Sequence, residues 1–199
     1  MFKTLSYNVE ALKDYVIRFF RAMDVPEIDA RIAADVLVSA DLRGVNSHGV
    51  IRLHSYYGDR LMQKQIDPLS PIQVISEAPA TLALDGANGL GQVVAYRAMS
   101  RCIEKADEAG LAITTVRNSN HYGIAGYFAM MALPEDMIGI SLTNSQPLVA
   151  PTFGARSELG TNPIAVAVPA GKERPYVLDM ATSIVPLGRV SVYEKAGQS

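Results

Sequence analysis

A chain of 199 residues with 49% hydrophobic and 19% charged side chains can bury a sizeable core and lies outside the disordered class. Its formal charge of -2 supplies no basic stripe for nucleic acid and no lysine-rich cluster for an anionic membrane, so neither is expected as a partner. Cys102 is the single cysteine, which excludes an intrachain disulfide and cysteine-based zinc clusters and suits a reducing, cytoplasmic location, with neither a signal peptide nor a spanning helix expected.

Val9, Leu12, Val16, Phe19 and Met23 recur at three- and four-residue steps, predicting a first helix that Asn8 caps. Pro26 suits the first turn of a second helix, with Ile28, Ile32 and Val36 turned inward. A third helix is predicted from just after His48, because Val50, Leu53, Tyr57 and Leu61 fall on one face. Residues 1–70 thus read as a small helical domain.

The run Asp67-Pro68-Leu69-Ser70-Pro71 breaks any helix and marks the expected boundary with a second domain over 71–199. There the pattern predicts strands at 72–76 and 80–85, a helix at 90–109, a strand at 111–116, a helix at 124–133 and strands at 137–143, 164–168 and 176–179. Gly89-Leu90-Gly91 lies between a strand and a helix, where a dinucleotide-binding glycine turn would lie. The third glycine position is Val94, so the G-x-G-x-x-G fingerprint fails and an ordinary glycine turn is expected.

Three histidines occur. His48 lies in Arg43-Gly44-Val45-Asn46-Ser47-His48-Gly49, with Arg52 four residues on. At helical spacing the pair shares one side, so a guanidinium can grip a carboxylate while the imidazole moves the proton of the neighbouring oxygen. A second reading of that spacing has Ser47 as a helix cap and Arg52 in a surface ion pair. His121 stands in Ser119-Asn120-His121-Tyr122-Gly123-Ile124-Ala125-Gly126-Tyr127, after a strand and before a helix, which fits a ligand loop or a hydrogen-bonded turn equally. His54 is assigned to structure or solvent. Gly160-Thr161-Asn162-Pro163 and Asp179-Met180-Ala181-Thr182-Ser183 offer hydroxyls and amides beside strands. No metal-ligand spacing, serine-hydrolase elbow or glycosidase carboxylate pair is found.

Together with Asp41-Leu42-Arg43, Leu84-Asp85-Gly86 and Asn88-Gly89-Leu90-Gly91-Gln92, these segments stand in an order that resembles the malate/L-lactate dehydrogenase family, distinct from the Rossmann-type lactate and malate dehydrogenases. Its relatives include ureidoglycolate dehydrogenase, sulfolactate dehydrogenase, diketogulonate reductase and piperideine-carboxylate reductase. The resemblance implies an α/β fold of the α+β type, with a helical domain beside a largely antiparallel, non-Rossmann nucleotide-binding sheet. It implies a homodimer that uses NAD or NADP to oxidise or reduce a small 2-hydroxy or 2-oxo acid. By the same resemblance Ser47 and His48 belong to the proton-transfer apparatus, with His121 as the alternative acid. Arg52 and Thr161 then bind substrate, and His121, Tyr122, Gly123, Ile124, Ala125, Ser145, Asp179, Met180 and Ala181 line the cofactor.

Asn46 stands where an acidic residue is expected, and Leu187-Gly188-Arg189 carries arginine where lysine is commoner. The family's members are longer, so part of the cofactor domain is expected to be missing from these residues. A noncatalytic nucleotide-binding or dimerising fragment is the alternative to an active enzyme.

Overall fold

Asn8 is extended at φ -64°, ψ 132°, and its side chain accepts from the Ala11 amide at 3.0 Å, which starts helix α1 (Val9–Arg21). The computed structural model describes residues 6–183 together with Tyr193 and Gly197. On α1, Val16 and Phe20 are fully buried, whereas Phe19 and the other members of the expected stripe pack partly exposed against them. Helix α2 (Glu27–Leu42) buries two sides, one against α1 and one against the later helix α4 (Gly91–Ala109). Its inward residues are therefore Ala30, Ala33, Ala34, Leu37 and Val38 as well as Val36. Ile28, expected inside, is 71% exposed. Asp29 turns in instead and pairs with Arg97 of α4.

The expected third helix is not continuous. Two 3-10 turns, Asn46–His48 and Val50–Arg52, lead into a π-helical stretch, Leu53–Gly58, and one α-turn, α3 (Asp59–Met62). The interruption falls at Gly49, whose φ of -91° and ψ of -150° are extended. Wide turns of this kind recur at functional sites because they re-aim side chains without ending the helix.

Strands β1 (Gln73–Ala78), β2 (Thr81–Asp85) and β3 (Ile113–Arg117) form a sheet in that order. The β1–β2 pair is antiparallel, and β2–β3 is parallel with α4 as its crossover. Leu82 and Leu84 face α4, while Leu90 and Val93 at its start join the core of Val16, Phe20, Leu37, Leu53 and Tyr57. Withdrawing each such side chain from water is worth about 1.5–3 kcal/mol.

The contacts group the chain into two compact units, one of Ser6–Gly123 and one within Ile124–Ser199. The boundary expected at residue 70 therefore lies inside the first unit. Leu90 N donates to Ser70 Oγ at 3.0 Å, and the Asp29–Arg97 pair joins α2 to α4, so the β1–β2–β3 segment shares one core with the helices. In the second unit, α5 (Ala125–Met130) packs on an antiparallel sheet of β4 (Gly139–Leu142), β5 (Ile164–Val168) and β6 (Tyr176–Met180). Gly139 lets the Ala129 carbonyl approach to 1.9 Å from where a Cβ would stand, and small Ala165 and Ala167 complete that face. The fold is the expected mixture of helices and sheets. Among the described residues its strands form a mixed sheet, β1–β2–β3, and an antiparallel one, β4–β5–β6.

Candidate active site

The turn carrying His48 is organised by Asp41, near the end of α2. Its Oδ2 accepts from the Val50 amide at 2.8 Å and its Oδ1 from Asn46 Nδ2 at 3.3 Å. A Cβ on Gly49 would lie 2.2 Å from that carboxylate, so only glycine fits there. Burial pushes the Asp41 carboxyl upward, and the bonds from Val50 and Asn46 oppose the shift. Asn46, in place of an acidic residue, thus donates to Asp41 where a carboxylate would repel it.

Ser47 does not cap a helix: its hydroxyl meets His48 Nδ1 at 2.9 Å, and its carbonyl accepts from Arg52 Nε at 2.8 Å. Arg52 reaches the same volume as His48 although Gly49 breaks the helix between them, and among the described residues no carboxylate pairs with it. The His121 ring stacks on His48, with centroids 5.5 Å apart and planes at 22°. Tyr57, fully buried, bonds His121 Nδ1 at 2.6 Å, and Tyr56 lies 5.2 Å from the His121 ring with the Arg60 guanidinium 4.3 Å over its own face. His54 faces α1, bonded to Tyr15 at 2.8 Å, as expected of a structural residue.

His121 is delivered by backbone packing. A Cβ on Gly91 would stand 2.2 Å from the Asn120 carbonyl and 2.4 Å from that of His121, so the start of α4 is pressed onto this loop. Asn120 Nδ2 bonds the Asn88 and Gly89 carbonyls at 3.1 and 2.9 Å. The glycines of the Gly89-Leu90-Gly91 turn thus admit Ser70 and the 120–121 backbone, which accounts for them without a phosphate. Gly123, at φ +90°, packs against Val36 where a side chain would collide.

Both imidazoles are held neutral. Burial, then the Arg52 charge, lowers His48 from 6.5 to about 4. Burial, then His48, Arg52 and Arg60, lowers His121 to about 3. Burial raises the Tyr57 phenol, which stays protonated.

The first unit therefore contains Ser47, His48, Arg52, His121, Tyr122 and Gly123, and the second contains Ile124, Ala125, Ser145, Thr161, Asp179, Met180 and Ala181. In the second unit, Ser145 Oγ lies 3.0 Å from Thr161 Oγ1 and accepts from the Thr161 amide at 2.8 Å. Thr182 N and Oγ1 both donate to the Thr161 carbonyl, at 2.9 and 3.1 Å. Asp179 Oδ2 accepts from Gly126 N at the start of α5, at 2.8 Å. Ser183 Oγ, two residues after Ala181, is buried without a hydrogen-bond partner among the described residues, a polar atom suited to a carboxamide such as that of nicotinamide. Leu187-Gly188-Arg189 lies outside the described residues.

Asp41, Tyr56, Tyr57 and Arg60 were not singled out by sequence pattern. Tyr57 scored as a core position, which it is, and only its hydroxyl belongs to the site. Asp41 heads the motif Asp41-Leu42-Arg43-Gly44, but its role depends on a turn that doubles back nine residues later. Among the described residues no helix is long and apolar enough to cross a membrane, and no group of three or more His, Cys, Asp or Glu side chains is placed to hold a metal ion.

Among the described residues, a guanidinium without a carboxylate partner thus stands beside two imidazoles held neutral. The chain belongs to the malate/L-lactate dehydrogenase family, whose model matches residues 7–199. It is 53% identical over 189 residues to the malate dehydrogenase of Pyrococcus horikoshii, covering 95% of this chain and 52% of that protein. It is 44% identical over 178 residues to the L-sulfolactate dehydrogenase of Methanocaldococcus jannaschii, covering 89% and 51%. The crystal structure of malate dehydrogenase from Entamoeba histolytica superposes with a TM-score of 0.95 at 39% identity, over 98% of this chain and 54% of that one. The chain thus spans about half the length of the curated relatives it matches.

Proposed function

We propose that this chain carries the substrate site of an oxidoreductase that interconverts small 2-hydroxy and 2-oxo acids with NAD or NADP. The observation that carries the reading is Arg52 held beside the stacked His48 and His121 with no carboxylate partner among the described residues. Arg52 binds the substrate carboxylate through paired hydrogen bonds and so orients C2 and its oxygen. His48 or His121 moves the proton of that oxygen. Burial is the larger cause of the low His48 value and the Arg52 charge the second; an anion on Arg52 offsets the second and so favours the protonated acid needed for ketone reduction. Ser47 turns its hydroxyl to either protonation state of His48.

In the second unit Thr161, braced by Ser145, presents the hydroxyl that the family resemblance assigns to substrate. When bound, the nicotinamide supplies or accepts the hydride. His121, Tyr122, Gly123, Ile124, Ala125, Ser145, Asp179, Met180 and Ala181 are the residues that would hold it, and the Ser183 hydroxyl, without a hydrogen-bond partner among the described residues, supports their fit to it. The names of the relatives support malate-like and sulfolactate-like acids as the substrate class. We place the whole protein in the cytoplasm as a homodimer.

The test is reduction of pyruvate, oxaloacetate, glyoxylate derivatives and cyclic imino acids by NADH or NADPH. It is run with this chain and with a version extended to the relatives' length by the corresponding part of the Pyrococcus horikoshii protein. Turnover that falls at least about tenfold on Arg52→Ala, the loss of about 1.4 kcal/mol of interaction, is the expected result. Turnover by neither form, together with ligand binding unchanged by Arg52→Ala, overturns the reading.

A further inference from the structure

Tyr57 sits among the fully buried side chains of the first unit, its ring edge-on to Phe20 at 6.1 Å, yet its hydroxyl leaves the core to meet His121 Nδ1 at 2.6 Å. The Gly123 amide approaches the same nitrogen at 3.4 Å. An amide can only donate, so the Gly123 contact assigns the lone pair to Nδ1, and the Tyr57 phenol, which can donate or accept, then donates to it. Two donors on one ring nitrogen make it the acceptor, and a neutral imidazole then carries its hydrogen on Nε2.

The other groups facing this ring disfavour a second proton. His48 stacks upon it, and the Arg52 and Arg60 charges lie close enough to act on it. Tyr56 is the remaining ring neighbour.

We propose that Tyr57 is a positioning residue that locks His121 as the Nε2–H tautomer, so that His121 gives the substrate oxygen a hydrogen bond while His48 carries the transferable proton. The division of labour rests on the reading of this site as one for a 2-oxo acid; the tautomer lock does not. For His121 to release its Nε2 proton, Nδ1 must first gain one, which would set it against the Gly123 amide hydrogen and turn Tyr57 from donor to acceptor. His48 has no such constraint, because its Nδ1 faces the rotatable Ser47 hydroxyl at 2.9 Å. In the reductive direction the carbonyl oxygen then takes its proton from the His48 imidazolium, which returns to neutral imidazole as C2 gains the hydride.

The experiment is long-range proton–nitrogen NMR of the chain labelled with nitrogen-15 histidine, with the three imidazoles assigned by His48→Asn and His54→Asn. The expected spectrum shows His121 with a bare Nδ1 and a protonated Nε2 from pH 8 to pH 5. In Tyr57→Phe, His121 becomes a mixture of tautomers while the His54 signals stay in place. An Nδ1–H form in the unsubstituted chain, which needs no variant to fold, overturns the proposal, as does an unchanged tautomer in a folded Tyr57→Phe. No turnover is needed, so failure here leaves the reductase assay to judge the site, and failure of that assay leaves the tautomer result standing.

Discussion

Lowering the pH from 8 to 5 is expected to destabilise the first unit through its two neutral imidazoles, and His48→Asn is expected to remove half of that contribution. His48 is held at about 4 and His121 at about 3, in each case by burial first and neighbouring cations second. The unfolded chain protonates both near pH 6.5, so between that pH and the depressed values it binds more protons than the folded state, and stability falls as pH falls. Each pH unit in this window costs about 1.4 kcal/mol per histidine, which by pH 5 amounts to about 2 kcal/mol each. Urea denaturation followed by circular dichroism, at pH 8 and pH 5, measures it. His48→Asn should lose about 2 kcal/mol less than the unsubstituted chain over that interval. Taking the difference between the two proteins cancels Asp29 and Asp41, whose carboxyls burial shifts upward and whose contributions run in the opposite sense. Equal losses in the two proteins would refute a neutral, desolvated His48.

The turn that holds His48 gives a coupled test. Asp41→Ala should cost about 1–3 kcal/mol by leaving the Val50 amide without its acceptor, and Gly49→Ala about as much by driving a methyl into the carboxylate. In urea denaturation the double substitution should cost less than the sum, because Asp41→Ala vacates the space that the methyl needs. Arg97→Met should destabilise by about 1–3 kcal/mol, since Asp29, 1% exposed, loses a partner that solvent partly screens, and Asp29→Asn in the same chain should recover part of the loss in thermal melts. Gly91→Ala should displace the 120–121 backbone, seen as shifted His121 imidazole signals with those of His54 unmoved.

Much of the fold was legible because periodicity reports burial on one side. Strand β5 falls on residues 164–168 as predicted, and α4 begins one residue from its expected start. Periodicity failed where an element is buried on two sides or held by a side chain distant in sequence. Helix α2 is wedged between α1 and α4, so its stripe widened over small alanines and left Ile28 outside. The third helix was misread because nothing local announces that Asp41 occupies the space beside Gly49 and captures Val50. The boundary at the two prolines was a change of local texture, not of packing, since Ser70 and Arg97 tie the following strands to the helical core. Within the site, His48 and Arg52 were visible as a spaced pair, while Tyr57 was hidden because a core position says nothing about where a hydroxyl ends.

The central claim is that Arg52 seats a 2-oxo carboxylate beside His48 and His121. Titrating the nitrogen-15 histidine-labelled chain with pyruvate and with oxaloacetate tests it without requiring turnover. Saturable shifts of the His48 and His121 imidazole signals are expected, with a rise in the pH at which His48 protonates and loss of both effects in Arg52→Met. Unmoved histidine signals with either acid, or the same shifts in Arg52→Met, would contradict it.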